Sequence, residues 1–220
     1  MCGTRQLGSI GITAAIVLLA GASAGRADPV ASSTFDAGDE GWKVVSTLGY
    51  YGSPSWAATG GNPGGFIYAV DPDTGAFGFA APAKFLGDVS AAYGTPLSFD
   101  IAAYDTPDAA TGWVGLEGGG HTLIWHFPAP STIYPDWHSR SVNMTETGGW
   151  EHLDSGLPPT HAEMVELLDD LDGMVITAEF IEGLPNDISG LDNVILAPEP
   201  TALAALAAAS VALIARRRRR

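Results

Sequence analysis

The sequence predicts a mostly β fold built as a two-layer sandwich, and three observations carry that expectation. Apolar residues alternate with period two in several short segments. Gly 28 and Pro 15 make up about a fifth of the 220 residues, which favours many turns over long helices. A single segment outside the termini has helical periodicity with signals at both ends. Hydrophobic residues are 46% and charged residues 16%, so the chain is no disordered polyelectrolyte.

The first clear strand is 66–70. It is bracketed by Gly60-Gly61-Asn62-Pro63-Gly64-Gly65 and Asp71-Pro72-Asp73-Thr74-Gly75, both rich in turn formers. In 95–104, Leu97, Phe99 and Ile101 face one way, and Ser98, Asp100 and Tyr104 the other. In 121–127, Leu123, Trp125 and Phe127 oppose Thr122, Ile124 and His126. Met174, Ile176, Ala178 and Phe180 alternate with Val175, Thr177, Glu179 and Ile181. The last strand, 191–196, is expected to put Asp192, Val194 and Leu196 on one side. Between these strands lies the helix. Pro158-Pro159 stops the preceding chain, and Thr160 with Glu163 forms a capping box. Met164, Leu167, Leu168 and Leu171 follow at helical spacing, and Gly173 ends the run. One short amphipathic helix beside many strands is expected to cover an edge or end of the sandwich.

The two ends read as trafficking signals. Residues 1–27 form a secretory signal: Arg5, the apolar run 10–20, then rival cleavage sites at Ala22-Ser23-Ala24 and Gly25-Arg26-Ala27. Cys2, the chain's one cysteine, leaves with it, so the body holds no disulfide and no thiolate metal site. At the other end, 198–220 reads Pro198-Glu199-Pro200, an uncharged segment 201–215, and Arg216, Arg217, Arg218, Arg219 and Arg220. As a helix the uncharged segment reaches ~22 Å, short of the ~30 Å hydrocarbon core, and arginine snorkelling makes up part of the deficit. The arginines belong on the cytoplasmic side, which places the body outside the inner membrane. This tripartite tail resembles the PEP-CTERM sorting signal of Gram-negative bacteria. The resemblance implies export, processing by signal peptidase and an exosortase-type enzyme, and surface sorting alongside exopolysaccharide.

Residues 28–197 form one domain. Its only basic residues, Lys43, Lys84 and Arg140, stand against 24 of the chain's 25 carboxylates. That charge repels phosphate backbones and excludes nucleic acid as a partner. Phe35-Asp36, Gly41-Trp42, Ala81-Pro82-Ala83-Lys84-Phe85-Leu86-Gly87-Asp88, Tyr93-Gly94, Leu97-Ser98-Phe99, Leu116-Glu117-Gly118-Gly119-Gly120 and Leu191-Asp192-Asn193-Val194 follow in order. In these stretches the chain resembles the laminin B domain (laminin domain IV). The resemblance implies a galactose-binding-like jelly roll that is extracellular and non-catalytic, a structural or adhesion module. The EGF-like flanks of the animal versions are missing.

Two ligand classes are expected. Related jelly rolls hold a structural calcium, which the resemblance carries onto Asp36, Asp71 or Asp73, and Asp192. Flat aromatic faces beside loops, Trp113 and Trp137, are candidates for stacking on extracellular polysaccharide. Enzyme patterns are weak. His121, His126, His138, His152 and His161 are scattered, no HExxH or GxSxG pattern occurs, and a two-carboxylate hydrolase rests on abundance of acids alone. Lys84 and Asp88 are expected to form an ion pair.

Overall fold

The computed structural model describes residues 29–108, 111–181 and 187–197. The expected signal peptide, the Pro198-Glu199-Pro200 tail with Arg216 to Arg220, and the terminal hydrophobic helices lie outside the described residues. Among the described residues no helix is long and apolar enough to cross a membrane.

The strands are β1 Ala31–Ser33, β2 Lys43–Ser46, β3 Tyr51–Gly52, β4 Ser55–Gly61, β5 Gly64–Val70, β6 Phe77–Ala80, β7 Pro96–Ala103, β8 Thr111–Gly118, β9 His121–Pro128, β10 His138–Asn143, β11 Glu151–His152, β12 Leu171–Thr177 and β13 Ile188–Leu196. The helix α1, His161–Asp169, precedes β12. One sheet has the order β10-β7-β13-β5-β4, with β1 also on β13. The other runs β11-β9-β8-β12-β6-β2-β3. The chain switches repeatedly between the sheets because each strand has one apolar face and must stack it on a partner layer. The fold is the expected mostly β sandwich of jelly-roll type.

The inner faces meet as the alternation predicts. Leu97, Phe99 and Ile101 are at most 1% exposed, and Leu123, Phe127 and Ile176 oppose them at the same level of burial. Phe99 of one sheet meets Phe127 of the other edge to face at 5.3 Å. At the other end Trp42 packs edge to face on Phe35 at 6.1 Å and on Phe85 at 5.4 Å. Its Nε1 donates to Ser33 Oγ at 2.8 Å, so the buried indole is satisfied.

The capping box at Thr160 forms: Thr160 Oγ1 accepts from Glu163 N at 3.3 Å, and Glu163 Oε2 accepts from Thr160 N at 2.6 Å. Met164, Leu167 and Leu168 are fully buried. The helix backbone lies against the β8–β9 turn. A Cβ on Gly118 would sit 2.4 Å from Asp170 O, and one on Gly119 2.6 Å from Glu166 O, so only glycine fits.

Three details differ from the sequence reading. The helix stops at Asp169, so Leu171 and Gly173 belong to β12 instead of ending the helical run. In β13 the register shifts between Asp192 and Ile195 at a bulge, where Asn193 has φ 50°. The extra residue moves Asp192 away from Val194 and Leu196, which join Leu191 in the core. Lys84 pairs with Glu40 and Ser32 O, while Asp88 accepts from Ser90 N and Oγ.

Two substitutions test the packing by urea denaturation. Trp42→Ala is expected to remove about 3–5 kcal/mol of stability. Thr160→Ala should remove about 1 kcal/mol.

Candidate functional site

The outer face of the second sheet is open and carries a groove of about 440 Å³. Cross-strand pairing builds it. Ile124 of β9 stands opposite Gly115 of β8, and Gly115 opposite Val175 of β12, so these residues form one row across the strands. The glycine leaves that row low. Trp113 and Glu117, two places before and after Gly115, rise on either side, with Gly173 beside Glu117. Trp113 lies over the glycine: a Cβ on Gly115 would sit 3.2 Å from Trp113 Cζ3. The result is an apolar trough with an aromatic wall and a carboxylate.

Trp137 sits elsewhere, over the outer face of the first sheet. Its Nε1 donates to Gly60 O at 3.0 Å, and its ring packs edge to face on Phe66 at 5.3 Å. Tyr134 stacks on Tyr104 at 4.5 Å in the same cluster. Those faces hold a loop against the sheet, so the structure brings Trp113 but not Trp137 to the groove.

The acids also divide. Asp192 is fully buried on that first outer face beneath the β4–β5 turn. Its oxygens accept from Asn62 N at 2.6 Å and Asn193 N at 2.7 Å. Asp100 beside it accepts from Ser139 Oγ and from the side-chain amides of Asn62 and Asn193. Asp36 is exposed, accepts from Thr34 Oγ1, and lies close enough to Asp192 to act on its charge. Burial is the largest cause of the Asp192 pKa rising to about 6; the backbone bonds oppose it, and Asp100 and Asp36 add to it. Asp71 and Asp73 lie at the far end of β5. Asp73 accepts from Ser46 Oγ and Gly75 N, and Asp71 turns toward Glu179 and Asp187.

A second cleft, of about 670 Å³, opens beside the N-terminus of α1. It gathers His121, His152 and Glu163, whose ligand atoms lie within 4.8 Å of one another. Sequence spacing gave no sign of this set, because it comes from β9, β11 and α1. Two imidazoles and a carboxylate are a donor set that suits zinc. Here Glu163 Oε2 already accepts from Thr160 N at 2.6 Å and holds His152 Nε2 at 3.5 Å, while His121 Nε2 faces Glu166 Oε2 at 3.4 Å. His126 lies on the opposite strand face with Glu151 at 3.4 Å.

The Laminin B (Domain IV) family profile matches residues 78–210. The chain belongs to the Laminin B (Domain IV) family. The profile starts inside β6, so the Asp36 and Trp42 region is joined to the family by the fold alone. The L4b domain of human laminin alpha-2 is similar in structure at 18% identity, covering 77% of this chain and 98% of that one with a TM-score of 0.61. The family 11 carbohydrate-binding module of a cellulosomal cellulase from Clostridium thermocellum aligns at 16% identity over 77% of this chain and 96% of its own, with a TM-score of 0.47. No curated protein matches the chain.

Buried acids give this Laminin B domain a pH signature. Burial lifts Asp192 and Asp187 from 3.8 to about 6 and Glu179 from 4.5 to about 8. Between their unfolded and folded values the folded chain holds more protons than the unfolded one, so stability falls as pH rises. In EDTA, denaturation midpoints are expected to drop steadily between about pH 5 and pH 8. Asp192→Asn should flatten the lower part of that slope, and a profile that climbs over the interval contradicts the assignment.

Proposed function

We propose that this chain is an exported, non-catalytic module of the cell surface or extracellular matrix, structural or adhesive in role. Membership in the Laminin B (Domain IV) family is the observation that carries this reading. In it, the 1–27 leader directs export through signal peptidase. The PEP-CTERM-like tail delivers the chain to an exosortase-type enzyme, with transient anchoring at the inner membrane. Fractionation with mass spectrometry of both mature ends is expected to find the chain outside the cytoplasm, beginning after Ala24 or Ala27 and trimmed near Pro198-Glu199-Pro200. A full-length cytoplasmic chain contradicts it.

The Trp113 groove supports a second reading, as a carbohydrate-binding module for extracellular polysaccharide. An apolar trough walled by an indole and edged by Thr122 and Glu117 fits the alternating apolar faces and hydroxyls of a sugar chain. The acidic surface favours a neutral polymer over a uronic one. In affinity gels containing neutral glucan, the chain should be retarded. Trp113→Ala should weaken that binding about tenfold, the equivalent of ~1.4 kcal/mol, without lowering the melting temperature. Equal mobility of the native chain with and without polymer, across neutral and acidic polysaccharides, removes this reading and leaves the structural one.

A further inference from the structure

Three carboxylates converge where the two sheets meet. Asp71 directly follows β5, Glu179 lies two residues past β12, and Asp187 directly precedes β13. One oxygen from each lies within 4.8 Å of the others. Asp71 is 3% exposed and Asp187 6%. Each acid is anchored through its backbone neighbours. Asp71 Oδ1 accepts from Asp73 N at 3.2 Å, Glu179 from the Phe77 amide, and Asp187 from the Phe180 amide. The remaining oxygens, Asp71 Oδ2, Glu179 Oε2 and Asp187 Oδ1, are buried with no hydrogen-bond partner.

Buried acids are ordinarily satisfied, as Asp192 and Asp100 are in this molecule. Three acids gathered in one place, each with a bare buried oxygen, are not. The surroundings worsen the repulsion, since Asp105 and Asp108 add negative potential. No basic side chain of the described residues is placed to relieve it. Lys43 bonds Ser53, Lys84 pairs with Glu40, and Arg140 donates to Pro128 O.

We propose that Asp71, Glu179 and Asp187 form a calcium site that ties the end of β12 in one sheet to β5 and β13 in the other. All three donors are hard oxygens, which select Ca²⁺ or Mg²⁺ over transition metals. Calcium takes oxygens at about 2.3–2.6 Å, so opposed ligands stand roughly 4.6–5.2 Å apart, whereas magnesium draws them to about 4.0–4.2 Å. Separations of at most 4.8 Å fit within a calcium coordination sphere. The site is distinct from the Asp36–Asp192 cluster. The seven residues of β5 separate the two by about 20 Å.

The test is melting and isothermal titration of the purified chain, stripped with EDTA and then titrated with CaCl₂. At about a hundred times Kd, calcium is expected to raise the melting temperature by roughly 5–10 °C. Glu179→Gln and Asp187→Asn should each abolish the rise. In EDTA both should melt at or above the native chain, because each replaces a group whose charged form is buried beside other acids, and that result separates a lost site from a lost fold. Asp192→Asn should keep the calcium response. No rise in the native chain overturns the proposal. So does a rise that survives Glu179→Gln and Asp187→Asn but disappears in Asp192→Asn. A larger rise with equimolar MgCl₂ overturns the choice of metal.

Discussion

The apolar layer between the two sheets sets every other feature of this domain. Its thickness is fixed by large side chains that reach across, as where Phe99 meets Phe127. Because those contacts consume the inner face of each strand, the outer faces are free to differ. Register follows from the same constraint, since a slip of one residue would turn Leu97, Phe99 and Ile101 out to solvent. The layer closes at one end around Trp42, which brings the end of β1, Phe35 just past it, the β2 entry and the turn at Phe85 into one cluster.

The two outer faces are treated in opposite ways. The first sheet's is covered. The β4–β5 turn folds over Asp192 and Asp100, and Tyr134 and Trp137 pack a loop on Phe66. The second sheet's is bare around Gly115 and Gly173, with Trp113 standing beside them. A ligand that needs a broad surface therefore has one sheet to choose, and the aromatic that serves it is Trp113. Trp137 instead spends its N–H on Gly60 O and packs on Phe66 and Tyr134.

Much of this was legible in the sequence, and the failures have identifiable causes. Period-two alternation placed β5, β7, β9 and β12 because their inner residues are strongly apolar. It did not reveal β8, whose outer residues include Gly115 and whose inner ones include Gly112 and Gly118, so the alternation is faint. Residue 171 continued the helical spacing of Leu167 and Leu168, yet it is a strand residue. Hydrogen bonds with Gly87 in both directions override the helical option. The bulge at Asn193 was hidden because nothing in Leu-Asp-Asn-Val marks a positive φ except asparagine itself. Site residues were harder. Glu179 and Asp187 join Asp71 only through the pairing of β5 with β13 and of β12 with β6, and His121, His152 and Glu163 join through equally distant elements. Spacing along the chain carries no trace of such contacts. The single legible member of the trio was Asp71.

The two acidic clusters show how the same residue type takes opposite roles. Asp192 and Asp100 lie under a turn that offers amide donors, and they organise that turn: Asn62 and Asn193 bond both acids, and Asn193 Nδ2 also donates to Asn62 O. Hydrogen bonds to the charged form oppose the desolvation that burial imposes. At the other end of β5 the backbone donors leave one oxygen of each acid bare. Protons relieve that cluster only in part at neutral pH, because Glu179 titrates at about 8 but Asp187 at about 6. A divalent cation relieves it at neutral pH. An acid-rich domain with few cations of its own gains little from internal ion pairs, so stability drawn from the medium is a further route. Calcium would then make the junction of the two sheets strongest wherever the medium supplies it.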